Sequence, residues 1–187
     1  MLRKLLRLLP VLALVSLGFA ALTVARQAAA EGKKVTQLVP NDAGLVRQIH
    51  HYRRITWHWQ SVMGVRHTPS TRAATKDPSH VFKRWVRDLW KRRAHHALLR
   101  AAHPPHKAGW LCIHRYEGAW SDPNPPYYGG LQMDLSFQRT YGRMLLRRKG
   151  TANNWTPLEQ MWVAEHAYRS GRGYYPWPNT ARSCGLI

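Results

Sequence analysis

Between Tyr116 and Gln132 the chain reads YEGAWSDPNPPYYGGLQ, which sets one glutamate, Glu117, among aromatic rings and turn-forming residues. The preceding KAGWLCIHRYEG puts Trp110, Ile113 and Glu117 at i, i+3 and i+7, on one side of a helix whose last turn carries the carboxyl. The negative end of the helix dipole and the Trp110, Tyr116 and Trp120 rings both disfavour a charged carboxylate there. A glutamate in that setting is expected to hold the proton that a general acid needs. Downstream, Pro and Asn make an irregular loop, and Gly129-Gly130 permits a tight turn or a close ligand. Trp120, Tyr127, Tyr128 and Gln132 bring aromatic faces and an amide suited to sugar rings. Without that chemistry the same glutamate is simply the end of a helix.

The remaining carboxylates of this half are Asp122, Asp134, Glu159 and Glu165. Asp134 is the best second acid or base, and it also stands where a helix N-cap would stand before LSFQRTYG. Asp122 can cap or turn its own loop. Glu159 and Glu165 fall on a later helix, where structural or surface contacts are the simpler role. The chain has 11 histidines, paired at His50-His51 and His95-His96, but neither cysteine lies near another ligand at the short spacings a zinc site uses. No metal and no cofactor are expected.

The N-terminus bears on the compartment. MLRKLLR is a basic start, residues 8–25 are apolar, and RQAAA at 26–30 ends in an A-x-A pattern. Residues 1–30 are expected to be a secretory signal cut after Ala30, or else an uncleaved anchor, since the apolar run is just long enough to span a bilayer. The product is then secreted or wall-associated in the first case and membrane-anchored in the second. The formal charge of +20 calls for an anionic partner, and removing Arg3, Lys4, Arg7 and Arg26 leaves the chain strongly basic. Outside the cell the anionic polymers of the wall and lipid headgroups are plentiful and nucleic acid is not, so no nucleic-acid partner is expected. An exported chain with two cysteines also invites a disulfide, Cys112 to Cys184, the alternative being two unpaired buried thiols.

Around these residues the sequence divides near His103–Lys107, where a strongly basic stretch gives way to a more balanced one. Residues 31–106 read as a basic helical region. Asn41 to Gly64 has a cap-like start, apolar or aromatic residues at 45, 49, 52, 55 and 59, and a closing glycine. A polar loop follows, then a second amphipathic helix in which Asp77 can cap, Pro78 suits the first turn, and Phe82, Trp85, Val86, Leu89 and Trp90 line one face. Two roles stay open for this hairpin: packing against the C-terminal part, or tethering to anionic wall polymers or a membrane surface through residues 83–93 (Lys83, Arg84, Arg87, Lys91, Arg92 and Arg93).

From Lys107 on, W-x-x-I-x-x-x-E-G-x-W, then YYGGLQ, then LEQMWVAEHAY, then GRGYYPWP follow in order. This succession resembles the transglycosylase-like domain of the resuscitation-promoting factor family, over residues 107–187. The resemblance implies a mainly α, small lysozyme-like C-terminal domain with a short β-like turn. It further implies cleavage of the MurNAc-GlcNAc β-1,4 bond of peptidoglycan, with Glu117 in the place of the catalytic glutamate and Trp120, Tyr127, Tyr128, Gln132 and Asp134 toward the glycan strand. The family often has its first cysteine immediately before the glutamate; here Tyr116 stands there, and Cys112 lies about one helical turn earlier. With no second carboxylate clearly assigned, a single-acid mechanism is expected, whose product is an anhydro sugar if the C6 hydroxyl attacks and a reducing end if water does. The competing classes are a wall-glycan-binding module without turnover and a cationic protein that anchors to membrane or wall.

Overall fold

A computed structural model describes residues 42–187 of the chain. The expected signal or anchor at 1–30 lies outside them. Among the described residues no helix is long and apolar enough to cross a membrane. The architecture is mainly helical, with one two-stranded antiparallel sheet.

The basic region forms two long helices, α1 (Asp42–Val62) and α3 (His80–Ala101), with a short helix α2 (Arg72–Lys76) in the connection. They run parallel and not as the expected hairpin: the Asp42 carboxylate at the start of α1 takes hydrogen bonds from Lys83 at 2.6 Å and from the His80 ring at 2.7 Å at the start of α3, and one turn or two further on Arg87 donates to Gln48. The connection can return because Thr68 bonds Gln60 and the Trp90 indole donates to Thr71 Oγ1 at 2.6 Å, beside the pair's own core of Ile49, Val86 and Trp90.

Two further details depart from the sequence reading. The cap of α3 is Ser79, which accepts from the Phe82 amide, because Asp77 is already bonded to the Ser79 amide in the turn before it. The buried stripe of α3 is Lys83, Val86, Trp90, Ala94, Ala97 and Ala101, so Val86 and Trp90 face inward as expected while Phe82 and Trp85 face solvent. The run of alanines is the reason: small side chains let α1 approach closely along that stripe, and the bulky aromatics on the adjoining stripe stay outside.

After the His103–His106 connection come α4 (Lys107–Glu117), β1 (Tyr127–Tyr128), β2 (Met133–Asp134), α5 (Leu135–Tyr141), α6 (Arg143–Lys149), a 3-10 turn (Ala152–Asn154), α7 (Pro157–Ala167), a π turn (Tyr168–Arg172) and α8 (Pro178–Ser183). Helix α7 is the hub, buried along most of its length because Met161, Trp162, Val163, Ala164 and Ala167 face the main core. Its N-terminus is fixed by Thr156 and Glu159, which bond reciprocally to each other's backbone amides in a capping box. Glu159 also takes His58 of α1 at 2.9 Å and Lys149 of α6 at 2.8 Å, so one buried carboxylate joins α1, α6 and α7. Burial alone would raise its pKa, but the His58 and Lys149 bonds and the Thr156 amide reverse that and hold it at about 2. At the other end, Glu165 is fully buried and accepts from the His106 amide at 2.7 Å and the Trp110 indole at 2.9 Å, which fixes where α4 begins. Both glutamates of the later helix are therefore structural, and residues 42–187 form one compact unit.

Candidate active site

Glu117 is the last residue of α4, and Gly118 ends the helix at φ 143°, a conformation that glycine adopts readily. Its carboxyl is half-buried, and Oε1 accepts from the Thr180 hydroxyl of α8 at 2.8 Å. The other carboxyl oxygen has no partner among the described residues. The Cys112–Cys184 disulfide holds α8 against α4 with Cα atoms 6.0 Å apart. Thr180 is thus held opposite Glu117 by a covalent link one helical turn away at each end. Of the aromatics expected around the carboxyl, Tyr116 is 60% exposed and Trp110 gives its indole to Glu165.

The YYGG turn owes its shape to Gln160 of α7. Its Oε1 accepts from the Gly130 amide at 2.9 Å, while Nε2 donates to the carbonyls of Trp120 at 2.8 Å and Ala152 at 2.9 Å. A side chain at Gly129 would place its Cβ 2.5 Å from Gln160 Oε1, and Gly129 sits at φ 74°, so both space and backbone call for glycine. At Gly130 the added carbon would meet the stacked rings of His114 and Trp120, which lie 3.9 Å apart. The glutamine of the LEQ motif and the glycines of YYGG are therefore two sides of one contact.

The strands that follow the sequence's β-like turn pair Tyr127 with Asp134 and Tyr128 with Met133. Alternation sends Tyr127 outward, half-exposed, and Tyr128 toward the core. Tyr127, Gln132 and Asp134 line a polar cleft of about 380 Å³, together with Phe137, Tyr141, Arg172 and Trp177. The Trp177 indole donates to the Leu131 carbonyl at 2.6 Å, so the ring forms a fixed wall. At the far end the Tyr141 hydroxyl meets Ser170 at 3.2 Å; the Ser170 hydrogen bond and then Arg172 hold that phenol below its ordinary pKa, against burial. Gln132, at φ 46°, turns its amide to Asp122 Oδ2 at 2.8 Å, and both groups lie within 4 Å of where a Gly118 side chain would start. Through Gln132 the cleft adjoins the Glu117 end of α4.

Of the expected residues, Tyr127, Gln132 and Asp134 line the cleft, and Glu117 lies outside its lining, next to the Gly118 that Gln132 approaches. Trp120 and Tyr128 do not line the cleft, Trp120 being stacked on His114 and Tyr128 packed on the core. Asp134 caps α5 by accepting from the Phe137 amide at 2.6 Å, and Asp122 is bonded to Gln132 and to Asn124 at 2.6 Å. Thr180, Tyr141, Arg172 and Trp177 were not singled out from the sequence; the PWPNT stretch was the signal for two of them, since it carries Trp177 and Thr180 onto the start of α8. Among the described residues no group of three His, Cys, Asp or Glu side chains is placed to hold a metal ion. No family model, characterised protein or solved structure matches this chain.

Proposed function

We propose that this protein is a secreted peptidoglycan-cleaving enzyme of the resuscitation-promoting factor type, with a lysozyme-like C-terminal part, acting on the MurNAc-GlcNAc β-1,4 bond with Glu117 as its one acid and base. The observation that carries the reading is the Glu117 carboxyl itself: half-open, held on one oxygen by Thr180, and adjoining through Gln132 a cleft with an exposed tyrosine and several polar groups. Glu117 donates its proton to the glycosidic oxygen as the C1–O bond breaks. The C6 hydroxyl of the same sugar then closes on C1 and returns a proton to Glu117, giving an anhydro end. Of the two nearest alternative carboxylates, Asp122 is held by Gln132 and Asn124 and Asp134 by its cap. Asp122 has both carboxylate oxygens engaged, whereas Asp134 gives only Oδ1 to its cap and is the second carboxylate to test if the product has reducing ends. Glu117→Gln tests the reading: it keeps the Thr180 acceptor but cannot give a proton, and loss of a positioned general acid costs ~10²- to 10⁴-fold in rate. Cleavage at the wild-type rate by this variant would instead favour a wall-glycan-binding module whose glutamate is only a helix end.

A second role is favoured by the outer face of α3. Phe82 and Trp85 stack with centroids 5.7 Å apart and are 38% and 54% exposed, and Arg84, Lys91 and Arg92 are exposed on the same helix. Lys83 and Arg87 are engaged with Asp42 and Asp88, and Arg93 lies over Trp90. The proposed contact with anionic wall polymer or membrane surface therefore runs through Arg84, Lys91 and Arg92, flanking an aromatic pair.

A further inference from the structure

A second concavity, of about 510 Å³, opens where the ends of α1 and α3 meet α7 and the π turn. Its apolar lining comes from Met63 and Trp162, both buried, from Val65, which is half-buried, and from Leu99 and Pro105, which are open to solvent. The Trp162 indole nitrogen donates to the Ala101 carbonyl at 2.8 Å, which satisfies its polar edge and leaves the ring as apolar lining. Leu99 is 48% exposed on the rim of this basin.

The rest of the lining is basic side chains, the guanidinium groups of Arg100 and Arg169 and the imidazole of His103. Arg169 lies over the Trp162 ring at 5.2 Å, and its only hydrogen bond is a long one, 3.5 Å, to the Met63 carbonyl. No carboxylate lines the basin, and none is paired with Arg100, His103 or Arg169 among the described residues. Guanidinium groups offer planar, directed donors that match carboxylate and phosphate oxygens. Guanidinium groups without carboxylate partners beside the solvent-accessible Leu99, Val65 and Pro105 side chains suit a ligand with two parts of opposite character.

We propose that this basin binds an amphiphilic anion, with its phosphate or carboxylate head on Arg100 and Arg169 and its apolar arm against Leu99, Val65 and Pro105. The site is separate from the Glu117 cleft and its occupancy does not depend on glycan cleavage. Because its walls come from the end of α1, from α3 and from α7 together, a ligand there binds only the folded chain and raises its melting temperature.

The test measures binding and thermal stability of the full chain with octyl phosphate, octanoate, octanol and inorganic phosphate. Octyl phosphate and octanoate bind saturably, and octanol and inorganic phosphate each bind at least ~10-fold more weakly, since each lacks one half of the ligand. Arg100→Gln, alone and with Arg169→Gln, weakens octyl phosphate by ~10-fold or more without lowering the melting temperature of the free protein. Arg84→Gln with Lys91→Gln, on the outer face of α3, leaves that affinity unchanged. Octanol binding as tightly as octyl phosphate, phosphate alone reproducing the effect, or equal loss in the Arg84/Lys91 pair would each overturn the proposal.

Discussion

At the scale of single residues, the site depends on groups that hold others in place. Thr180 touches no substrate in the proposed reaction, but its hydroxyl fixes one oxygen of Glu117 at 2.8 Å and leaves the other to act. Thr180→Val keeps the shape and removes the donor, so kcat for peptidoglycan cleavage should fall about tenfold, the worth of one hydrogen bond to a charged group. Thr180→Ser should restore most of it; a purely structural role for Thr180 would leave kcat unchanged in both variants once folding is matched. Gly129 is constrained in another way, since Gly129→Ala puts a methyl 2.5 Å from Gln160 Oε1 at φ 74°. Overpacking against a buried group of that kind costs about 1–3 kcal/mol, measurable as a lowered denaturation midpoint. An unchanged midpoint would mean that Gln160 moves aside freely, which its three other hydrogen bonds oppose.

At the scale of elements, what was legible in the sequence follows from how local each signal is. The end of α4 could be read from WLCIHRYEG because a helix period and a glycine stop are contained in a dozen residues. The disulfide was readable because Cys112 and Cys184 are the only two cysteines. The facing of α3 was not, because the helix carries two adjoining stripes and hydrophobicity alone favours the aromatic one, whereas packing chose the narrow alanine stripe. Gln160 was legible as a motif residue but not as the partner of Gly130, a contact made across 30 residues.

The disulfide joins α4 and α8 across a sequence separation of 72, a span for which closing the loop is worth about 4 kcal/mol in the chain-entropy model. Reduction, or Cys112→Ala with Cys184→Ala, should lower the melting temperature and loosen Thr180 from Glu117, so activity should fall before the fold is lost. Glu159 gives the pH dependence its sign. Its carboxyl titrates at about 2 in the folded chain against 4.5 ordinarily, so its stabilising effect is complete above about pH 4.5 and lost as pH falls toward 2. Glu159→Gln should lower stability at neutral pH and flatten the denaturation curve within that acid window; an unchanged acid limb would count against the three-way joint.

At the scale of the whole molecule, a parallel helix pair rich in surface cations is joined through His58 and Glu159 to a helical part that carries the cleft. Contacts between surface cations and anionic polymers are screened by salt, so binding of the full chain to purified walls should weaken between low and high ionic strength. Arg84→Gln, Lys91→Gln and Arg92→Gln together should reduce that salt response, and an unaltered response would place the contact elsewhere on the surface. The central claim is the chemistry of Glu117, and it is tested most directly by digesting purified peptidoglycan with the wild-type protein and Glu117→Gln and weighing the products. The wild type should release fragments with anhydro-muramic ends, and the variant, folded and still bound to the wall, should release none above background. Reducing ends would contradict attack by the C6 hydroxyl and mean that water is the acceptor, and release by the variant at the wild-type rate would contradict the assignment of Glu117 altogether.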